Sequence, residues 1–164
     1  MKILAFGSNL PFKNNSPKQN IESAYELLHQ NGINILNKSS FYKSEAYPNK
    51  SDPEFCNSVI SIETDFEPDV LLKIISKIEE SFERKRYIKN SPRTLDIDII
   101  SFDNLILDEE NLTIPHPETH NRLFVLLPIQ EINKTWEHPV LLKSVTNIIK
   151  EYDQTALNKV KKIQ

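Results

Sequence analysis

Apolar and polar positions alternate along this chain in a way that marks a succession of short elements. Residues 2–7 form an apolar run closed by Gly7-Ser8-Asn9, which reads as a first strand. Pro17 opens a helix over about 18–31, with Ile21, Ala24, Tyr25, Leu27 and Leu28 as its apolar stripe and Gly32 at the position just past its end. Residues 33–43 alternate Ile33, Ile35 and later Phe41 with polar partners, the period of a half-buried strand. A loop follows over 44–54, rich in Pro, Asn and Asp, and then a strand over 55–64. From Pro68, the residues Val70, Leu71, Ile74, Ile75, Ile78 and Phe82 recur at helical spacing.

The strongest single pattern is Pro92-Arg93-Thr94-Leu95-Asp96-Ile97-Asp98-Ile99. Read as a strand, it turns Asp96 and Asp98 to one face and Leu95, Ile97 and Ile99 to the other. Side chains two apart on a strand share a face, with Cα atoms roughly 6.5–7 Å apart, so both carboxylates converge on one place. The acidic face continues with the apolar Ile100 and Phe102, so it is not simply a wet surface. Beyond it, Asp103-Asn104 makes a turn and 105–107 a short apolar segment. Pro115 and Pro117 bracket His116, a broken helical pattern runs over about 118–133, and 141–151 reads as a last amphipathic helix. The order strand, helix, strand, strand, helix, strand is the α+β, ferredoxin-like pattern, an antiparallel sheet with helices on one face.

Composition narrows this picture. With 164 residues, 38% of them hydrophobic, the chain supports one core, hence a single domain over 1–164. No apolar stretch approaches the ~20 residues of a membrane span, and the N-terminal apolar run is too short for a signal peptide, so a soluble cytoplasmic protein is expected; separately, it is taken as a monomer, although the sequence does not fix its oligomeric state. Cys56 is the single cysteine and sits among apolar residues, the context of a buried structural thiol. A net charge of −3 gives no whole-chain argument for nucleic acid or an anionic membrane as partner.

Charge is uneven locally. Arg84, Lys85, Arg86, Lys89 and Arg93 place five cations in ten residues directly before the acidic pair. Guanidinium groups bind phosphate bidentately, and beside a metal site such a run reads as a polyphosphate clamp. Two adjacent carboxylates repel unless a cation lies between them. Mg²⁺ suits hard oxygen donors and takes one or two protein carboxylates together with substrate phosphates. A pair can also hold two ions about 3.5–4 Å apart around a phosphoryl group in transit. With only Gly7 and Gly32 in the chain, a glycine-rich phosphate cradle is excluded, so side-chain cations and metal must take that part. The long cationic segment 83–91 is expected to be mobile when no polyphosphate ligand is bound.

These residues leave two other classes open. One is a Mg²⁺-dependent phosphohydrolase that uses the acidic pair with activated water. The other is a non-catalytic ferredoxin-like module that binds RNA through a basic loop and sheet aromatics.

Several segments together resemble the 6-hydroxymethyl-7,8-dihydropterin pyrophosphokinase family over nearly the whole chain. They are Phe6-Gly7-Ser8-Asn9-Leu10, residues 39–44, residues 52–57, Ile78-Glu79, Arg84-Lys85-Arg86, the Pro92 to Ile99 run, Pro115-His116-Pro117 and Asn121-Arg122-Leu123-Phe124. The resemblance implies an ATP-dependent diphosphotransferase of folate biosynthesis, with ATP and the pterin alcohol as substrates. It implies that Asp96 and Asp98 hold two Mg²⁺ ions, with Asp96 also touching the pterin, and that Arg84 and Arg93 neutralise charge on the transferred group. Glu79, Arg84, Arg86, Arg93, Ile99, Thr113, His116 and Arg122 would contact ATP. Ser44, Ala46, Phe55, Asn57 and Phe124 would bind the pterin, the two rings by stacking and the amide at its edge. The chain departs from the family at Asn90, where members often have a tryptophan, so the lid aromatic is either absent or supplied by Tyr87, and also at Ser44-Glu45 and Pro117.

Overall fold

A computed structural model describes residues 1–83 and 91–163. Within them the chain runs β1 (Lys2–Ser8), α1 (Pro17–Gln30), β2 (Asn34–Lys38), β3 (Tyr42–Ser44), β4 (Phe55–Glu63), α2 (Pro68–Ser81), β5 (Asp96–Ser101), β6 (Leu107–Glu109), β7 (Leu112–Ile114) and α3 (Leu123–Ile132). A C-terminal portion adds β8 (Glu137–His138), β9 (Lys143–Ser144), α4 (Val145–Ile149), α5 (Gln154–Leu157) and β10 (Val160–Lys162). The main sheet has the order β10-β3-β4-β1-β5, with β2 also on β4, and every pairing is antiparallel. This is the ferredoxin-like arrangement, in which β2 and β3 together fill one strand position along β4.

Local chemistry sets the element ends. Ser16 caps α1, accepting from the Gln19 backbone while the Gln19 side chain accepts from the Ser16 backbone, and Pro17 stands in the first turn. At the other end Gly32 has φ +79°, and its N–H and that of Ile33 donate to His29 and Leu28 carbonyls. The left-handed backbone there needs a residue without Cβ.

The expected single strand over 33–43 is two strands. Val59 donates its backbone N–H to Ser39 Oγ at 3.0 Å, so a serine side chain replaces one rung of the ladder and the chain bends before β3.

β4 is buried along nearly its whole length, and so both faces of the sheet carry cores. Leu4, Phe6, Ile60, Ile97 and Ile99 meet Ile21, Leu28, Leu71 and Ile75 of α1 and α2. Ile3, Ala5, Val59 and Ile100 meet Leu126 and Ile129 of α3, Trp136, and Val145 and Ile148 of α4. The expectation of helices on one face is therefore corrected. α3 and the C-terminal portion cover the second face, because alternate positions of three central strands are apolar in both directions. The expected helix over 141–151 shrinks to α4, preceded by the β8–β9 hairpin. Cys56 is 7% exposed, and burial first of all pushes its thiol up to about 11, as expected for a structural cysteine.

Candidate active site

On the α3 face, the apolar floor gives way toward one end of the sheet to a cleft of about 740 Å³. Strand alternation builds it. In register, Ala5 faces Asp98, Gly7 faces Asp96 and Asn57 faces Gly7, so the two carboxylates, the amide and a glycine share one surface. A Cβ at Gly7 would stand 3.5 Å from Phe55, 3.6 Å from Asn57 Oδ1 and 3.9 Å from Asp96 Cβ. Glycine here keeps the floor open between these three groups.

The acidic pair is matched by two arginines. Arg93 Nη1 donates to Asp96 Oδ2 at 2.6 Å, and Arg122 Nη1 donates to Asp98 Oδ2 at 3.1 Å. Each guanidinium also lies over an aromatic ring, Arg93 5.4 Å from the centre of Phe55 and Arg122 5.9 Å from that of Phe124. Anion, cation and aromatic face thus recur twice around one cleft.

The backbone beneath Arg93 is tightly held. Asn9 Oδ1 accepts from Arg93 N at 2.7 Å, the Arg93 carbonyl accepts from Asn9 N and Leu10 N, and Asn9 Nδ2 donates to Pro53 O at 2.9 Å. Buried Asn20 of α1 donates to Thr94 O and Leu10 O, both at 3.0 Å. Thr94 Oγ1 donates to Phe82 O, and Glu79 of α2 accepts from Ile97 N at 2.8 Å. Ser8 and Asn9 entered the sequence reading only as the end of the first strand and as part of a family segment, with no role in holding Arg93, and Asn20 was not foreseen at all.

His116 faces Asp98, Nε2 to Oδ2 at 3.8 Å, while its Nδ1 accepts from Glu118 N at 3.1 Å. An accepting Nδ1 puts the ring proton on Nε2, the atom turned to the cleft. Burial, and then the Arg122 charge, lower its pKa to about 4, so the imidazole is neutral at pH 7. A proton titration followed by NMR on the protein without nucleotide should give His116 a midpoint near 4, and a midpoint near 6.5 would contradict this environment. The sign for stability follows. An unfolded chain takes up this proton near pH 6.5 and the folded one only near 4, so His116 makes the fold less stable as pH falls through that window.

Nine of the residues expected from the sequence line the cleft together: Ser44, Phe55, Asn57, Arg93, Asp96, Asp98, His116, Arg122 and Phe124. Four others stand elsewhere. Glu79 and Ile99 lie on the α1/α2 side of the sheet, 1% and 4% exposed, Thr113 sits on β7, and Ala46 is buried between the lining residues Glu45 and Tyr47. Arg84 and Arg86, with Tyr87, Asn90 and the mobility expected for 83–91, lie outside the described residues or, at Glu83 and Ser91, border them. Tyr47, Glu118 and Asn121 line the cleft without having been foreseen, all three from irregular or 3₁₀ segments that periodicity does not reach.

The chain is similar to known proteins over most of its length. The chain is 35% identical over 150 residues to the 2-amino-4-hydroxy-6-hydroxymethyldihydropteridine pyrophosphokinase of Haemophilus influenzae, covering 91% of each. It is 34% identical over 130 residues to the protein of the same name from Bacillus subtilis, covering 79% of this chain and 75% of that one. Among solved structures, wild-type HPPK-DHPS of Plasmodium falciparum superposes with a TM-score of 0.74 at 16% identity, over 99% of this chain. The chain spans 48% of that solved protein's length, and at this identity the likeness speaks for the fold. The profile of the 7,8-dihydro-6-hydroxymethylpterin-pyrophosphokinase (HPPK) family matches residues 3–134, and this chain belongs to that family.

Proposed function

We propose that this protein transfers the pyrophosphoryl group of ATP to 6-hydroxymethyl-7,8-dihydropterin, giving AMP and the pterin diphosphate, as a step of folate biosynthesis. The observation that carries the reading is the doubled arrangement of Asp96–Arg93–Phe55 and Asp98–Arg122–Phe124 around one cleft, with Asn57 on its floor. A flat heterocycle needs aromatic faces and an amide at its edge, and a polyphosphate needs cations. Here both sets open into the same space.

The donor set also fits Mg²⁺. Asp96 and Asp98 offer hard carboxylate oxygens from one strand face, their side chains 18% and 32% exposed toward the cleft. These two residues would hold the ions, two by our reading, and metal bound there would neutralise phosphate charge. In the proposed reaction the hydroxymethyl oxygen of the pterin attacks the β-phosphorus of ATP in line, and AMP leaves. Little covalent work falls to the chain. Arg93 and Arg122 carry charge to the phosphates, His116 presents a neutral Nε2–H donor, and Phe55, Phe124, Asn57 and Ser44 orient the pterin. Arg84, Arg86, Glu79, Ile99, Thr113 and Ala46 are assigned to the same two substrates by resemblance. No helix among the described residues is long and apolar enough to cross a membrane. We place the enzyme in the cytoplasm as a monomer acting on small molecules, with no nucleic-acid partner.

Nucleotide product analysis with ATP and Mg²⁺, with and without the pterin, tests this. AMP should appear only when pterin is present. Phosphate or pyrophosphate release without pterin would identify a hydrolase instead, and absence of turnover with salt-sensitive RNA binding would identify a binding module.

A further inference from the structure

Glu131, at the C-terminal end of α3, gathers hydrogen bonds from two distant parts of the chain. Its Oε1 accepts from Ser40 N at 3.2 Å, Ser40 Oγ at 2.8 Å and Lys162 Nζ at 3.1 Å, and its Oε2 accepts from the Tyr42 hydroxyl at 2.7 Å. One carboxylate therefore joins α3, the entry to β3 and the C-terminal β10. Burial works against its charge, but the hydrogen bonds from Tyr42, Ser40 and Lys162 outweigh that and hold Glu131 below the usual carboxylate range.

β3 needs such support. It has three residues, and its outer neighbour β10 also has three, paired Val160 with Ser44 and Lys162 with Tyr42. Ile163 N closes the end of this pairing on Phe41 O at 2.8 Å. Strands this short have little stability of their own and depend on what fixes them. Tyr42 is 9% exposed, and removing the carboxylate would take away the acceptor that fixes its hydroxyl at 2.7 Å.

β3 in turn sets the cleft floor. Asn57 Nδ2 donates to Tyr42 O at 3.2 Å and Ser44 Oγ at 2.9 Å. With the amide nitrogen drawn toward β3, Oδ1 is the atom beside Gly7 at the floor. The orientation of this amide, and with it the donor and acceptor pattern shown to a ligand, depends on where Tyr42 and Ser44 stand.

We propose that Glu131 is a positioning residue for the pterin subsite, acting through Tyr42 and β3 on the side-chain amide of Asn57. This rests on the reading of the cleft as a pterin site. The family match ends at residue 134, so β10, which supplies one arm of the clasp, extends the pocket's support into the C-terminal portion of the chain.

The test is a split in affinity between the two substrates. Glu131→Ala should raise the KM for pterin, and its Kd measured with a non-hydrolysable ATP analogue, by about tenfold, with the KM for ATP changed less than twofold. Glu131→Gln, which keeps an acceptor for Ser40, should recover part of that loss. Tyr42→Phe removes the same contact without touching α3, and reads the proposal if Glu131→Ala does not fold. An unchanged pterin KM in a folded variant overturns the proposal, as does an equal loss for both substrates, which would mean general loosening. Wild-type enzyme that neither binds nor turns over pterin would overturn the underlying reading itself.

Discussion

Asp98→Ala should lower kcat by at least about 10³ under saturating Mg²⁺ while leaving the fold in place, and Asp96→Ala should do the same. Removing one group that stabilises developing charge costs on the order of 10²–10³ in rate, and these carboxylates would in addition hold the metal. Each variant also releases an arginine. Without Asp98, Arg122 loses its 3.1 Å partner and His116 the carboxylate it faces. Without Asp96, Arg93 loses its 2.6 Å partner. The fold should survive because both side chains project from β5 into the cleft, whereas Ile97 and Ile99 make the strand's core contacts on the other face. Asp98 is the more exposed of the two, so its loss should shift Tm less. Steady-state kinetics over a Mg²⁺ series with a circular-dichroism melt decide the matter. Near-normal turnover of either variant at saturating Mg²⁺ would remove the metal assignment, and a collapsed melting transition would mean that the carboxylates are structural.

The β5 strand shows how far periodicity carries. Alternation alone assigned Asp96 and Asp98 to one face and Ile97 and Ile99 to the other, and foresaw that the acidic face turns apolar at Ile100, which packs in the second core, whereas Phe102, expected on that same face, packs against the first core beyond the register shift at Ile3/Leu4. The cap at Gly32 was legible for a similar reason, since the last turn of α1 and the residue after it carry local chemistry. What failed was non-local. Ser39 stands in for a ladder rung only because Val59 lies opposite it, and nothing within 33–43 announces that partner. The three residues of β10 are too few to show a period, and they pair with a strand far earlier in the chain. The aromatic lining by Phe55 and Phe124 was legible through the family motifs rather than through spacing, since any two phenylalanines read first as core. Tyr47, 80% exposed at the cleft, has no pattern around it at all.

Arg93→Ala should reduce kcat by about 10²–10³, and Arg93→Lys should recover no more than about tenfold of that loss. The physical distinction lies in the fork. Arg93 Nη1 is bound to Asp96, its guanidinium lies over Phe55, and its Nε is buried without a hydrogen-bond partner among the described residues. A buried donor left in that state is costly, and a phosphate oxygen entering the cleft would satisfy it. Lysine supplies a point charge but neither the planar stacking surface nor two donors in fixed geometry. Its backbone should stay in place in both variants, because Asn9 grips the main chain at Arg93 rather than the side chain. Kinetics with each substrate varied separately, alongside pterin binding in the presence of an ATP analogue, measure the effect. Full activity in Arg93→Lys would show that charge alone is required at this position. A loss confined to pterin binding, with kcat intact, would assign Arg93 to the ring that it overlies instead of to the transferred phosphates.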